Sequence, residues 1–170
     1  MTINSSSSRH HQTSHAVQCD IDHALELQHI WLEIQAQRWH QIERFLWPLF
    51  CYRHGYVTNK GKPCLTSAKA RLRRSDNALK SDSVTMIALV PFKAIIGELK
   101  KHEKDGNLSF SRMQRVLLHL LDYRLISAAE WQTLISLGLQ HQMPALWYQQ
   151  KNVNLEIRMA LADITFHQSH

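Results

Sequence analysis

Apolar residues recur at three- and four-residue spacing between Asp20 and Cys51, which is the repeat of an amphipathic α-helix. These positions are Leu27, Ile30, Trp31, Ile34, Ile42, Phe45, Leu46, Leu49 and Phe50. Asp20 can cap such a helix, because its carboxylate can accept a hydrogen bond from a free backbone N–H group of the first turn. Pro48 is expected to end or kink the helix, since it lacks a backbone N–H. We therefore predict one long helix from Asp20 to about Cys51.

Shorter segments with the same spacing follow along the chain. The stretch around Pro91 is the most apolar, and we predict a helix on each side of that proline, because the helical spacing continues beyond it. Ser109 and Ser127 are expected N-caps, and Glu130 completes a capping box with Ser127. Helices are predicted over residues 66–75, 84–90, 92–99, 110–122, 128–139, 144–148 and 154–166, the last segment also being compatible with irregular structure.

The composition agrees with a helical domain. Only 5 residues are glycine and 4 are proline, which argues against an all-β chain built on tight turns. Residues 1–19 are rich in Ser, His and Gln, lack apolar periodicity and predict a disordered polar tail. We therefore predict an all-α fold, a compact bundle of about six to seven helices that forms a single domain over residues 20–170.

The positive charge of the chain is concentrated in residues 53–80. This window holds eight basic residues and one acidic residue, a net charge of +7, while the whole chain carries +6. A surface of one sign attracts phosphate groups, so we expect it to contact nucleic-acid backbones. The candidate phosphate-binding residues of the window are Lys60, Lys62, Lys69, Arg71, Arg73, Arg74 and Lys80.

Two predicted helices offer cations to solvent. In the helix over residues 66–75, Ala68 and Leu72 form a narrow apolar stripe that can dock on the domain, while basic residues cover the rest of the circumference. The helix over residues 110–122 carries Arg112, Arg115 and His119 opposite its apolar side, a second candidate basic strip. A charged face that is merely solvated is the alternative for both strips.

The sequence lacks the signatures of an enzyme. There is no H-E-x-x-H, G-x-S-x-G, P-loop or dinucleotide-binding motif, and the 14 acidic residues form no paired carboxylates for a catalytic metal. A Cys–His nucleophile stays open, because such partners can meet in the fold alone. We expect a protein that is not an enzyme, with no catalytic residues, no cofactor and no metal site, and we assign His10, His11 and His15 to the polar tail.

The cysteines and the N-terminal residues indicate a compartment. Cys19, Cys51 and Cys64 are widely spaced and form no C-x-x-C pair, which favours a reducing cytosol over a disulfide framework. The first residues lack the apolar stretch of a secretory signal, and no run approaches the length of a membrane span. We therefore expect a cytoplasmic protein that does not contact a membrane.

The basic segment resembles the signature of a known family. The run S-A-K-A-R-L-R-R-S at residues 67–75, followed by Val90-Pro91-Phe92, is similar to the A-x-x-R-A-x-L-R-R … P-F pattern of the CasB family, the small subunit of the type I-E CRISPR surveillance complex Cascade. Residues 117–148 are similar to the C-terminal helices of that family, with A-L-W-Y at 145–148 in the place of its terminal segment. The lead-in to the arginine helix is longer here than is usual in the family, and the stretch between Phe92 and Leu117 is shorter.

The resemblance implies a non-catalytic, all-α subunit present in about two copies in a guide-RNA complex. Such a subunit helps to hold the guide RNA–target DNA hybrid and cradles the displaced single-stranded DNA, so the expected partners are nucleic acid, other Cascade-type subunits and a second copy of the chain. Base pairing reads the sequence in these complexes, and the protein needs only backbone contacts. Arg71, Arg73 and Arg74 match the family's basic motif, whereas the lysines of the window are assigned by charge alone.

Two other functions are compatible with the sequence. A stand-alone DNA-binding regulator would use residues 112–139 as a helix-turn-helix, although the predicted second helix has no basic residue to contact base edges. A protein-binding adaptor or inhibitor would use Trp31, Trp39 and Trp47, which are eight residues apart and drift round one helix face. Packing in a core, or a stacking surface for bases, are further explanations of these tryptophans.

Overall fold

The computed structural model describes residues 7–149 and 154–166, with side chains from residue 15 onward. The chain divides into two compact units, residues 1–70 and 71–170, whereas the sequence predicted a single domain over residues 20–170. The division falls between Ala70 and Arg71, inside the basic segment. Each unit buries apolar side chains from more than one of its own elements.

The first unit is built on two helices whose apolar sides pack together. They are α1 (Ser7–Gln35) and α2 (Glu43–His54), joined by residues 36–42, which include a 3₁₀ turn at Trp39–Gln41. Ile30 and Ile34 of α1 and Leu46 and Phe50 of α2 are buried, as the apolar spacing predicted. The prediction of one helix from Asp20 to Cys51 is wrong, because the chain reverses between the two helices.

A buried carboxylate holds the connection between α1 and α2. Glu33 is 5 % exposed and accepts hydrogen bonds from Arg38 Nε at 2.7 Å and Arg44 Nη2 at 3.2 Å. Gln37 adopts the left-handed conformation with φ 57°, which ends α1 without a glycine. Pro48 lies inside α2 and does not end it. The connection between α1 and α2 is therefore held by ion pairs between residues five and eleven positions apart. The spacing of apolar residues contains no information about such pairs.

Helix α1 includes residues that the sequence assigned to a disordered tail. It begins at Ser7, so residues 7–19 are helical, and the remainder of the predicted tail, residues 1–6, lies outside the described part. Side chains 15–18 are exposed and Cys19 is the first buried one. Adding a residue to the end of a helix that packing has already nucleated costs little free energy. Residues 7–19 can therefore be helical although their sequence has no apolar periodicity.

The second unit combines helices with a two-stranded sheet, and α3 (Leu65–Arg71) leads into it from the first unit. The remaining elements are a 3₁₀ turn (Ala78–Lys80), β1 (Val84–Ala88), α4 (Phe92–Lys104), α5 (Phe110–Leu120), β2 (Tyr123–Ser127), α6 (Ala128–Ser136), α7 (Ala145–Gln149) and α8 (Ile157–Leu161). The strands are antiparallel, with Val84 opposite Ser127 and Ala88 opposite Tyr123. Arg74 forms a parallel bridge with Leu125, so an extended segment lies along the other edge of β2.

The sheet corrects the prediction of an all-α fold. The segment over residues 84–90, predicted as a helix, contains strand β1, and the protein is mainly α rather than strictly all-α. Ile87 of β1 and Ile126 of β2 belong to one buried cluster with Leu134 of α6. A five-residue apolar run fits either structure locally, and its pairing with a strand about forty residues away decided between them.

The predicted serine N-caps of α5 and α6 are confirmed. Ser109 Oγ accepts a hydrogen bond from Arg112 N at 3.2 Å at the start of α5. The capping box at α6 is present, since Ser127 Oγ accepts from Glu130 N and Glu130 Oε2 accepts from Ser127 N at 2.7 Å. The helix predicted over residues 154–166 is limited to the five residues of α8.

Within the described residues, no helix has the length and apolar character needed to cross a membrane.

Candidate nucleic-acid interface

Lys60 and Lys62 lie on an ordered turn of the first unit. Thr58 closes the turn, because its N–H donates to Lys62 O at 2.8 Å and its hydroxyl accepts from the N–H groups of Lys60 and Lys62 at 3.3 and 3.2 Å. Gly61 supplies the left-handed conformation, φ 73°, that a side chain would disfavour. Both lysines are exposed, so the turn presents two cations on a short, hydrogen-bonded scaffold, as predicted.

Helix α3 carries fewer of the predicted cations than expected. Ala68 is 0 % exposed and Leu72 is 7 % exposed, so both predicted apolar residues are buried, although Leu72 follows the end of the helix. Lys69 is half-buried and Arg71 is exposed. The helix ends at Arg71, however, so the prediction that it extends to residue 75 and includes Arg73 and Arg74 is wrong.

Arg73 and Arg74 lie in the extended segment beside β2. Leu125 N donates to Arg73 O at 3.0 Å and Ser75 N donates to Leu125 O at 2.9 Å, so these residues have strand-like pairing. Successive side chains of an extended segment point to opposite sides, which separates the two guanidinium groups. The two arginines therefore do not form the single basic face that a helix would have given them.

The guanidinium group of Arg73 is engaged within the second unit. Its Nη2 donates to the carbonyl of Phe166 at 2.7 Å, its Nη1 lies 3.7 Å from Glu156 Oε1, and it stacks over the Phe166 ring at 5.7 Å. This side chain therefore stabilises the packing of the segment around Phe166. Arg74 is half-buried, and its side chain pairs with no carboxylate in the part of the chain described.

Lys80 ends the 3₁₀ turn and is exposed. The segment before it is fastened by Glu130, whose carboxylate accepts from Ser75 Oγ at 2.6 Å and from Asn77 Nδ2 at 3.1 Å. Ser75 Oγ also accepts from Ala78 N at 3.1 Å. Lys80 is thus a cation on an anchored segment.

The nine predicted binding residues divide between the two units. Lys60, Lys62 and Lys69 belong to the first unit, and the other six belong to the second.

Arg112 and Arg115 line a pocket of about 250 Å³ in the second unit. The pocket is formed by residues of α4, α5 and α7, namely Glu98, His102, Arg112, Arg115, Val116, His119, Leu120 and Trp147. The sequence identified the basic strip on α5 but not its neighbours on the other two helices. The i, i+4 spacing of Glu98 and His102 on α4 was the available signal, and it does not say which helix lies opposite.

The charges in this pocket are unequally balanced. Glu98 Oε1 lies 3.7 Å from His102 Nε2, and His102 Nδ1 is 2.9 Å from Asn107 Oδ1, so the one carboxylate of the pocket lies beside a histidine of its own helix. Helix α5 contains no acidic residue, and no carboxylate among residues 7–149 and 154–166 forms an ion pair with Arg112 or Arg115. The two guanidinium groups are therefore available to an anion.

The thiols of Cys19 and Cys51 give no support to nucleophilic chemistry. Burial raises the pKa of Cys51 to about 12, and burial together with Asp22 and Asp20 raises the pKa of Cys19. A raised pKa keeps a thiol protonated near neutral pH, and the reactive form is the thiolate.

No group of three or more His, Cys, Asp or Glu side chains with the geometry of a metal site occurs in the described residues, and the side chains of His10 and His11 lie outside them.

The geometry does not support the alternative helix-turn-helix. Residues 112–139 contain α5 and α6, but strand β2 separates the two helices, so they are not joined by the short turn that the motif requires.

The tryptophans proposed for a protein-binding surface, Trp31, Trp39 and Trp47, are half-buried in the first unit. Trp47 stacks on Phe50 at 6.1 Å, in agreement with packing inside the unit.

Comparison of the chain with models of protein families, with curated proteins and with solved structures finds no match.

Proposed function

We propose that this chain is a non-catalytic nucleic-acid-binding protein whose cations contact phosphate groups of the backbone. The observation that carries the proposal is the unpaired state of Arg112 and Arg115 among the described residues, on a helix that has no acidic residue. The exposed Lys60 and Lys62 on the Thr58-closed turn add a second basic feature in the other unit. Arginine and lysine that neutralise phosphates release counterions, and this gives affinity without sequence preference.

We further propose that the protein acts within a guide-RNA assembly of the CRISPR surveillance type, where it would bind the guide RNA–target DNA hybrid and the displaced strand. The resemblance of residues 67–75 and 90–92 supports this narrower proposal. Two features limit what the motif itself contributes: Arg73 is bonded to Phe166 and Glu156, and the sheet departs from the all-α fold that the resemblance implies. Arg71 and Arg74 are the motif residues proposed to contact the backbone.

The backbone-binding proposal is tested by the salt dependence of binding. Labelled 20-nucleotide single strands and duplexes of unrelated sequence are titrated with the protein at several salt concentrations. We expect binding to every sequence, with log K falling linearly with log salt. Arg112→Ala/Arg115→Ala should weaken single-strand binding about tenfold or more and reduce the slope by about 1.4, which is 0.7 for each lost phosphate contact.

The matched control is Lys101→Ala/Lys104→Ala, which removes two exposed positive charges from α4 without altering the pocket. Its effect on affinity and slope should be clearly smaller. Equal losses in the two double variants would mean that general charge, and not this site, binds the nucleic acid. A preference for one duplex sequence by about 4 kcal/mol or more would instead indicate a sequence-specific regulator.

The assembly proposal has a separate test. A tagged chain purified from its native cells should bring with it a guide RNA and several larger protein subunits. Recovery of the chain alone, while purified protein still binds nucleic acid, would contradict the assembly proposal and leave the backbone-binding proposal standing.

A further inference from the structure

The pocket between α4, α5 and α7 offers three kinds of contact in a small volume. Arg112 and Arg115 of α5 supply positive charge, and Glu98 of α4 supplies a hydrogen-bond acceptor. Val116, Leu120 and the small exposed part of Trp147, which is 6 % exposed, supply an apolar wall. A patch that only solvates charge has no need of a concave apolar wall. The combination matches an occupant that has an anionic part, a flat apolar part and a hydrogen-bond donor.

The size of the pocket restricts that occupant. Its volume of about 250 Å³ lies just below the range of roughly 300–1,000 Å³ that is typical of pockets for drug-sized ligands. A single nucleobase fits such a space, whereas a base pair or a dinucleotide does not. The phosphate attached to the base would then lie at the rim with the two arginines, since these carry no competing carboxylate in the described part of the chain.

We propose that this pocket binds one nucleotide of a single strand, with the base in the apolar part of the pocket beside Val116 and Trp147 and its phosphate on Arg112 and Arg115. The inference rests on the proposed function and adds the chemical form of the ligand. A base in a duplex is stacked and paired and cannot enter a concave site without being extruded, so the pocket selects single strands.

Glu98 gives the pocket a preference among bases. A carboxylate accepts hydrogen bonds and cannot donate them, so it favours a base edge that carries an amino group. Cytosine presents its N4 amino donor where thymine presents the O4 acceptor and a methyl group. The pocket should therefore bind cytosine better than thymine, and the negative charge of Glu98 should repel the O4 atom of thymine.

Oligo-dC and oligo-dT of ten nucleotides provide the test, because both are pyrimidine strands and differ at this edge. We expect the wild-type protein to bind dC10 about tenfold more tightly than dT10 at one salt concentration, the discrimination of a single charge-assisted hydrogen bond. Glu98→Gln should reduce the ratio to about twofold or less, since the amide can also donate to O4. Glu103→Gln, the same charge change on the same helix outside the pocket, should leave the ratio unchanged.

The position of the base is tested by NMR. The indole N–H resonance of Trp147, assigned with Trp147→Phe, should shift on addition of dC10 and stay in place with a duplex of the same length. Cytidine 5′-monophosphate distinguishes the source of the nucleotide: it should bind at least tenfold more weakly than dC10. Equal affinity of the mononucleotide and the strand would overturn the assignment to a single strand.

Failure of this inference can be told apart from failure of the proposed function. If Arg112→Ala/Arg115→Ala weakens binding, but the dC10 to dT10 ratio is near one and the Trp147 resonance does not move, the arginines contact backbone phosphates and the pocket binds no base. If no single strand or duplex binds at low salt, the proposed function itself is wrong.

Discussion

At the scale of single residues, positive charge in this chain has two different uses. Arg112 and Arg115 pair with no described carboxylate, whereas Arg158 is 1 % exposed and donates to the backbone carbonyls of Leu139, Gln140 and Ala88. Burial lowers the pKa of Arg158 to about 10, which still leaves it charged at neutral pH. A count of basic residues therefore overstates the cations that a partner can reach, as it also does for Arg73.

Arg158 is predicted to stabilise the second unit by satisfying buried carbonyl groups. Arg158→Met has a similar length but leaves those carbonyls without a donor, and an unsatisfied buried polar group costs about 1–3 kcal/mol. We expect the free energy of unfolding to fall by about 2 kcal/mol or more in urea denaturation followed by circular dichroism.

The control for this variant is Arg115→Met, at an exposed position, which should change the free energy of unfolding by no more than about 0.5 kcal/mol. Similar small effects of both substitutions would show that the contacts of Arg158 contribute nothing net to stability.

At the scale of elements, the capping box of α6 does more than begin a helix. Glu130 also accepts from Ser75 Oγ and Asn77 Nδ2, which fastens the segment before the 3₁₀ turn to α6. Local sequence predicted the bond between Ser127 and Glu130, because both partners lie within one helical turn. It could not predict the bonds to Ser75 and Asn77, since these residues are more than fifty positions away.

Glu130→Ala is expected to destabilise the protein by about 2 kcal/mol, the sum of a lost cap and of donors left unpaired. The loss should appear in urea denaturation and as faster hydrogen exchange at the Ala78 amide, which donates to Ser75 Oγ. Asp82→Ala removes an exposed carboxylate and should have little effect on either measurement. Unchanged exchange at Ala78 in Glu130→Ala would mean that Glu130 does not hold this segment.

Strand β1 shows why one element was predicted wrongly. Five residues with Val84, Thr85 and Ile87 are too few to display a period, and the neighbouring helical spacing favoured a helix. Their pairing with β2 supplies backbone hydrogen bonds and places Ile87 in the buried cluster with Ile126. The tertiary partner decided the local structure here, as it does for most short apolar segments.

At the scale of the whole molecule, the chain divides into two compact units, residues 1–70 and 71–170. The second unit buries a cluster drawn from its sheet, from α6 and α8, and from the residues that follow β1, α6 and α8. All of its members lie after residue 71. These residues are Ile87, Leu89, Ile126, Leu134, Leu139, Met159, Ala162 and Ile164. The first unit carries a net charge of +2 and the second +4, so both are basic.

A fragment of residues 71–170 is predicted to fold by itself. The residues of its apolar cluster all lie within the fragment, so circular dichroism should show helix and a single cooperative transition on heating. The full chain measured under the same conditions is the control. A fragment without a cooperative transition would show that the second unit depends on residues 1–70 for its stability.

Short-range patterns in the amino-acid sequence specify the local features of this protein. Helix α4, helices α5 and α6 with their serine caps, the apolar faces of α1 and α2, and the exposed lysines of the turn all depend on residues within a few positions of one another. Hydrogen bonding and side-chain periodicity over one or two helical turns are sufficient to specify such features, which is why short-range patterns predict them.

The tertiary structure alone decided which of the basic residues lie beside a pocket. It brought Trp147 and Glu98 to Arg112 and Arg115, turned Val84–Ala88 into a strand, placed Arg73 against Phe166 and buried Arg158 among carbonyls. Burial, strand pairing and ion-pair formation depend on partners 14 to 93 residues away, and a single sequence does not state which distant residues will be neighbours.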